Sequence, residues 1–178
     1  MHAVKFAAAF ALAVLSAACA QLQTAVPEKL VFELSARLAA RYGAESFSGN
    51  LAWRHAERND EMLITTPIGQ GVARIVREGD AVILTTAEPK EYRARDAESL
   101  TEQVLGFRLP LAGLADWVRA RPSGDASFKE EKSPDGRLQR LEQSGWTIEY
   151  QAYDSERPTR LRLVYPGIEL RLAISAWK

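Results

Sequence analysis

The chain has 178 residues, and its 23 basic side chains balance its 23 acidic ones. That balance gives no bulk electrostatic drive toward nucleic acid or an anionic surface. A single cysteine excludes an intrachain disulfide, and with only two histidines the chain cannot assemble a zinc centre or a Cys–His dyad.

The N-terminus reads as an export signal. Lys5 supplies a positive charge, and Phe6 to Leu15 is an apolar run. Its ten residues fall short of the roughly 20 needed to span a bilayer. Ser16, Ala17 and Ala18 then give the small residues of a cleavage site before Cys19. Residues 1–18 are expected to be removed, leaving 160 of 178 residues, enough for one domain with a sizeable core. Loss of Lys5 leaves 22 basic against 23 acidic side chains, a net of −1. Cys19 stands where a lipoprotein signal is cut, so its thiol is expected to carry a diacylglycerol. Ser16 takes the place three before the cysteine that is usually aliphatic, with Leu15 one further back. A second cut also fits, because Ala18-Cys19-Ala20 matches the A-x-A pattern with cleavage before Gln21. Lipidation is the preferred reading. By resemblance to the sorting rule of such lipoproteins, Ala20 rather than Asp after the cysteine means no retention at the inner membrane.

Residues 19–27 form a tether ending at Pro27, and residues 28–178 form the domain. Pro27 and Glu28 suit the first turn of a helix. Leu30, Val31, Leu34 and Leu38 recur at helical spacing, and Gly43 is a plausible stop. The period then becomes two. Phe47 to Arg54 alternates, and Met62–Thr66, Val72–Arg77 and Ala81–Thr86 follow as strands, with Glu78-Gly79-Asp80 as a tight turn. Tyr92 sits on a short strand. Asp96 can cap a helix to about Leu105, with Leu100 and Val104 on one side and Gly106 after it. Leu111, Leu114, Trp117 and Val118 mark a second short helix stopped by Pro122, and Ser123–Asp125 is a loop. Strands return at Arg137–Ser144, Gly145–Ala152, Arg160–Tyr165 and Ile168–Ala176. The pattern is α+β: sequential antiparallel strands with one apolar face, which curl into a barrel or half-barrel, and short helices to cover its mouth.

Trp53, Met62, Tyr92, Trp146, Tyr150 and Tyr165 fall on one face. They can fill a core or line a cavity for an acyl chain, and the sequence favours a filled core. No catalytic group stands out. Asp60-Glu61 and Glu130-Glu131 are neighbouring carboxylates on loop-like stretches, which read as solvated surface. His55, within the charged run Arg54–Glu61, reads as a surface residue. Gly69-Gln70-Gly71 is too short for a phosphate loop and precedes a strand. The unusual segment is Thr65-Thr66-Pro67-Ile68-Gly69-Gln70-Gly71, an irregular turn with Ile68 at its tip. Ile68 either projects into solvent or folds back to plug the end of the sheet.

Phe47-Ser48-Gly49-Asn50-Leu51, Pro67-Ile68-Gly69, Tyr92 to Glu98, Leu105 to Leu111 with Trp117, Gly145 to Tyr150, and Leu172 to Trp177 fall in one order and spacing. Together with the signal cysteine, this set resembles the LolB family of outer-membrane lipoprotein receptors over nearly the whole mature chain. The resemblance implies an open antiparallel half-barrel with an apolar cavity covered by short helices. It implies a monomer without cofactor or metal, lipid-anchored at the periplasmic face of the outer membrane. Such a receptor takes acylated lipoprotein cargo from the periplasmic carrier LolA and inserts it among outer-membrane phospholipids. Cys19 would be lipidated, and Pro67, Ile68 and Gly69 would form the membrane-insertion loop. Leu51, Trp53, Met62, Tyr92, Trp117, Trp146, Ile148, Tyr150 and Trp177 would line or close the cavity. Only eight residues, Arg54 to Glu61, separate Trp53 from Met62. The family usually carries a further strand there, so this chain is expected to lack about one strand of cavity wall. Two other readings stand beside this one: a soluble periplasmic lipid or lipoprotein carrier, and a structural envelope lipoprotein without cargo.

Overall fold

The computed structural model describes residues 29–178, apart from residues 89, 106–110 and 125. The expected signal and tether, Cys19 and Gly106 lie outside the described residues. Eleven strands form one antiparallel sheet: β1 (Leu30–Tyr42), β2 (Glu45–Ala56), β3 (Asn59–Thr65), β4 (Gly71–Glu78), β5 (Ala81–Thr86), β6 (Glu91–Ala94), β7 (Phe128–Lys132), β8 (Leu138–Gln143), β9 (Trp146–Asp154), β10 (Arg157–Tyr165) and β11 (Ile168–Trp177). Two helices, α1 (Ala97–Leu105) and α2 (Leu111–Trp117), lie between β6 and β7 in the chain. The order across the sheet is β6-β5-β4-β3-β2-β1-β11-β10-β9-β8-β7. All steps but one join sequence neighbours; the exception, β1 to β11, brings the two ends of the domain together in the middle. Among the described residues β6 and β7 are the two edges and do not pair with each other, so the sheet is open. A twisted sheet this wide with one apolar face buries that face by curling.

The first element corrects the sequence expectation: 30–42 is a strand, not a helix. Leu30, Leu34 and Leu38 are four residues apart, a spacing that suits both periods. The even positions between them decide it. Phe32, Leu34 and Ala36 are buried, Leu38 and Ala40 pack behind them, and Glu33, Arg37 and Arg41 take the other face. That is period two throughout. β1 then pairs on both sides, with β2 and β11, which no single helix could do.

The register carries apolar rows across the concave face. Leu34 stands opposite Trp53, Trp53 opposite Met62, Met62 opposite Ile75, Ile75 opposite Leu84, and Leu84 opposite Tyr92. On the other half, Leu172, Leu161 and Tyr150 form one row, and Leu170, Leu163, Ile148 and Leu141 the next. The chain between Trp53 and Met62 is used up by the ends of β2 and β3 and a turn at Glu57-Arg58, so no strand intervenes. Gly49 is required where β2 passes the end of β3, because a Cβ there would lie 2.2 Å from the Thr65 carbonyl oxygen.

Asp96 caps α1 as expected, its Oδ1 accepting the Ser99 N–H at 2.7 Å. Leu100 from α1, and Leu111, Leu114 and Trp117 from α2, join the same core as the strands. β7 was not foreseen. Glu130 and Glu131 lie on this edge strand rather than on a loop, and all five of its residues are exposed. A short, charged edge of this kind resists pairing with other chains.

Candidate functional site

Three places on this frame have chemistry worth reading: an aromatic groove, a buried carboxylate and the β3–β4 loop.

The groove lies where α2 meets β8 and β9. The Trp117 indole N–H donates to Gln143 Oε1 at 2.8 Å, and the Trp117 carbonyl accepts the Tyr150 hydroxyl at 2.8 Å. The Trp117 ring is 6.1 Å from that of Trp146, which is 5.2 Å from Tyr165. A groove of about 750 Å³ opens beside them, with Trp117, Trp146, Tyr165, Leu111 and Val82 on its apolar side and Arg77, Asp80, Arg95, Asp96 and Glu98 on its charged side. That volume falls in the range of small-ligand sites. Burial, reinforced by Tyr153, pushes the Tyr150 hydroxyl far above its ordinary value. Burial likewise pushes Tyr153 up to about 12, so both stay protonated at neutral pH.

Of the nine residues expected at a cavity, Trp117 and Trp146 border this groove, though both are themselves buried in the core. Leu51, Trp53, Met62, Ile148 and Tyr150 are buried in the packed core. Tyr92 and Trp177 are partly buried against it, and the Trp177 indole N–H donates to the Pro158 carbonyl at 2.9 Å.

Sequence reasoning placed His55 and Asp60 on the surface; both are buried, His55 at 7% exposure and Asp60 at 2%. The alternation of β2 and β3 carries them onto the concave face, where His55 stands opposite Asp60 and Asp60 opposite Arg77. Asp60 Oδ1 accepts the Trp53 indole N–H at 2.8 Å and His55 Nδ1 at 2.7 Å. Its Oδ2 accepts Arg77 Nε at 2.6 Å. Burial alone would raise the Asp60 carboxyl, but the hydrogen bonds from His55, Trp53 and Arg77 outweigh it and hold the group below the usual range. An ionised carboxylate only accepts, so His55 carries its proton on Nδ1. Every polar partner is an indole, imidazole or guanidinium of the frame itself, which makes this a structural cluster. Among the described residues no group of three or more His, Cys, Asp or Glu side chains could hold a metal ion. No helix among them is long and apolar enough to cross a membrane.

The β3–β4 loop is the third place. The Thr66 carbonyl accepts the Gly69 N–H at 2.9 Å, and the Thr66 N–H donates to the Gln70 carbonyl at 2.8 Å. Pro67 fixes φ at the first central position, Ile68 keeps a negative φ, and Gly69 takes φ +88°. This is a type I turn followed by a left-handed glycine, a recognised three-residue hairpin loop. Gln70 N–H donates to Thr66 Oγ1 at 3.1 Å, and Asn50 Nδ2 ties the Thr66 carbonyl to β2 at 3.2 Å. The side chain at the tip of this braced loop, Ile68, is 83% exposed. Of the two placements the sequence left open, it projects and does not plug the sheet.

This wide, open antiparallel sheet with a few short helices between its edge strands is a fold shared with solved structures. A LolA superfamily protein of Nitrosomonas europaea superposes with a TM-score of 0.51 at 13% identity, over 86% of this chain and 87% of that one. A DUF1329 family protein of Desulfovibrio piger superposes at 0.52 with 10% identity, over 83% and 84%. The family model described as outer membrane lipoprotein LolB matches residues 31–177. The outer-membrane lipoprotein LolB of Thiobacillus denitrificans is 40% identical over 159 residues, 88% of this chain and 86% of that protein. Its counterpart in Nitrosomonas europaea is 38% identical over 153 residues, 83% and 72% of the two. The chain belongs to the LolB family of outer-membrane lipoproteins. The family is one of lipoprotein-trafficking receptors, not enzymes.

Proposed function

We propose that this protein is anchored at the periplasmic face of the outer membrane by a lipid on Cys19. There it accepts acylated lipoproteins from the carrier LolA and inserts them into the membrane. The observation that carries this reading is the braced projection of Ile68, a large aliphatic side chain held out in solvent by Pro67, Gly69 and Asn50. Such a residue gains by leaving water for the lipid interface and gains nothing where it stands.

Cargo enters by the aromatic groove. Acyl chains are held through non-directional burial, roughly 0.8 kcal/mol per methylene, so unrelated lipoproteins can share one site. Tyr165 is exposed at the groove, Trp117 and Trp146 lie buried beneath it, and α2 is the element whose displacement would open them to an acyl chain. Direction of transfer follows from a higher affinity for the acyl chain than the carrier has, without nucleotide hydrolysis.

The test is complementation of a strain depleted of its own LolB. Growth restored by this chain, with lipoproteins fractionating in the outer membrane, is the expected result. An exported, folded chain that fails to restore growth overturns the reading. Binding of an apolar fluorescent probe separates a receptor from a cargo-free envelope lipoprotein.

A further inference from the structure

The convex face of the sheet has a charge excess that the whole chain lacks. Arg37 and Arg41 on β1, Arg171 on β11, and Arg160 and Arg162 on β10 all lie on it. The register gathers them: Ala173 pairs with Arg37 on one side and Arg160 on the other, while Arg171 pairs with Arg162. Two carboxylates enter the group, Glu149 and Glu169, and both are engaged. Arg162 bonds Glu149 at 3.1 Å and Glu169 at 2.7 Å, and Arg171 holds Glu169 at 2.6 Å. Arg37 and Arg160 have no carboxylate partner among the described residues, and Arg41 stands opposite Glu169 in register without forming an ion pair with it. Five guanidiniums against two carboxylates leave three positive charges on one small patch. The floor between them is Ala39, Ala173 and Ser48, which leaves a groove of about 530 Å³ over the sheet.

The patch is level with the Ile68 loop. Arg37 stands opposite Asn50 on β2, and Asn50 opposite Thr65 at the end of β3. Asn50 also bonds the Thr66 carbonyl. The loop therefore leaves the sheet two strands from Arg37, roughly 10 Å at the usual strand spacing.

We propose that this arginine face binds the phosphates of anionic phospholipid headgroups, and so sets the protein against the bilayer while Ile68 enters the apolar layer. The inference rests on the reading that Ile68 meets the membrane. Planar guanidiniums suit phosphate oxygens in pairs, and an apolar tip beside unpaired cations is the composition of a surface that works at a lipid interface. Each cation strengthens attachment to an anionic surface by about fivefold.

The experiment is flotation of the full chain, carrying Cys19→Ser so that an acyl anchor does not mask the effect. The vesicles are phosphatidylcholine alone or phosphatidylcholine mixed with phosphatidylglycerol. Wild-type arginines should favour the anionic vesicles, and salt should erase the preference. The Arg37→Gln/Arg160→Gln double variant should lose about 25-fold on anionic vesicles, about fivefold per cation, with no change on neutral ones. The double lysine variant should retain most of the binding. Equal binding of the unsubstituted arginine face to both vesicle types overturns the proposal, and this needs no variant to fold. Loss of retention on immobilised polyglutamate with unchanged vesicle binding also overturns it and assigns the face to an acidic protein. Ile68→Glu separates the two ideas: it should weaken binding to neutral and anionic vesicles alike. If that effect fails while the arginine effect holds, the reading of Ile68 falls and the headgroup surface stands.

Discussion

The indole of Trp117 at the end of α2 is hydrogen-bonded to Gln143 on β8 at 2.8 Å, 26 residues further along the chain. Gln143 uses its whole amide. Its Oε1 also accepts the Ser123 N–H at 2.8 Å, and its Nε2 donates to the Ser123 carbonyl at 2.9 Å and the Ala126 carbonyl at 3.0 Å. One buried side chain thus fixes both the last residue of α2 and the chain leading to β7.

Truncating Gln143 tests this. Gln143→Ala leaves a buried indole and backbone groups without partners, each costing about 1–3 kcal/mol. We expect a loss of about 3 kcal/mol by urea unfolding, the effects of one network not being additive. The variant should also show altered Trp fluorescence, since Trp117 and Trp146 lie together. A loss below about 0.5 kcal/mol would mean that the network does not hold α2.

The Asp60 cluster makes a pH-dependent contribution. Its native carboxyl sits below the ordinary aspartate value of about 3.9. The stabilisation is therefore complete above that value and is lost as pH falls through the lower native one. Removing one partner of a buried ion pair costs about 3–5 kcal/mol. Asp60→Ala should fall at the low end, because the Arg77 side chain keeps 17% exposure. The difference between wild type and variant should be largest at neutral pH and should shrink as pH falls through the lowered native value. A constant difference across that range would rule out the carboxylate as its source.

The cluster also marks where the sequence stopped being legible. β9, β10 and β11 could be read because their buried faces are purely apolar: Trp146, Ile148 and Tyr150, then Leu161 and Leu163, then Ile168 to Ile174. His55 and Asp60 obey the same alternation, as continuations of Leu51-Trp53 and of Met62-Ile64. Their polarity inside the charged run Arg54–Glu61 hid the parity. Following that parity past the hairpin would have put both inside. Gln143 was hidden in the same way, one step beyond Leu141. In β1 the fault was different: a four-residue leucine spacing satisfied both periods, and the deciding period of two lay in the even positions between, Phe32 and Ala36. β7 has no buried face, so it has no periodicity to read. The loop at Ile68 was legible because Pro67 fixes φ and Gly69 permits the left-handed φ that ends the turn. Whether Ile68 projects was not, since that depends on Asn50 bracing Thr66 from another strand.

Cys19 carries the anchoring prediction. Palmitate labelling should mark the wild-type chain, which should fractionate with the outer membrane. Cys19→Ala should appear in the soluble periplasmic fraction and still bind an acylated peptide, since the groove residues lie more than 50 positions away in sequence. An unmodified N-terminus at Gln21, read by mass spectrometry, would sink the anchor and favour a soluble carrier.

Ile68 separates receipt of cargo from its delivery. The side chain is 83% exposed, so replacing it removes almost no packing. Ile68→Glu should change stability by less than about 0.5 kcal/mol. The loop itself should survive, because its shape comes from Pro67, Gly69 and the Thr66 hydrogen bonds rather than from the side chain. In the lipid interface the same residue is worth about 1.5–3 kcal/mol. That is too little to anchor a protein and enough to bias a loaded receptor toward the bilayer by roughly one to two orders of magnitude. Ile68→Glu is therefore expected to accept cargo from the carrier normally and to fail at incorporation into liposomes. Ile68→Leu, which keeps the apolar volume, should behave as wild type. Melting temperature, carrier-to-receptor transfer and liposome incorporation, measured on one preparation of each variant, give three independent readings. A uniform decline in all three would assign Ile68 a role in the fold. Normal incorporation by the Glu variant would remove it from the insertion step.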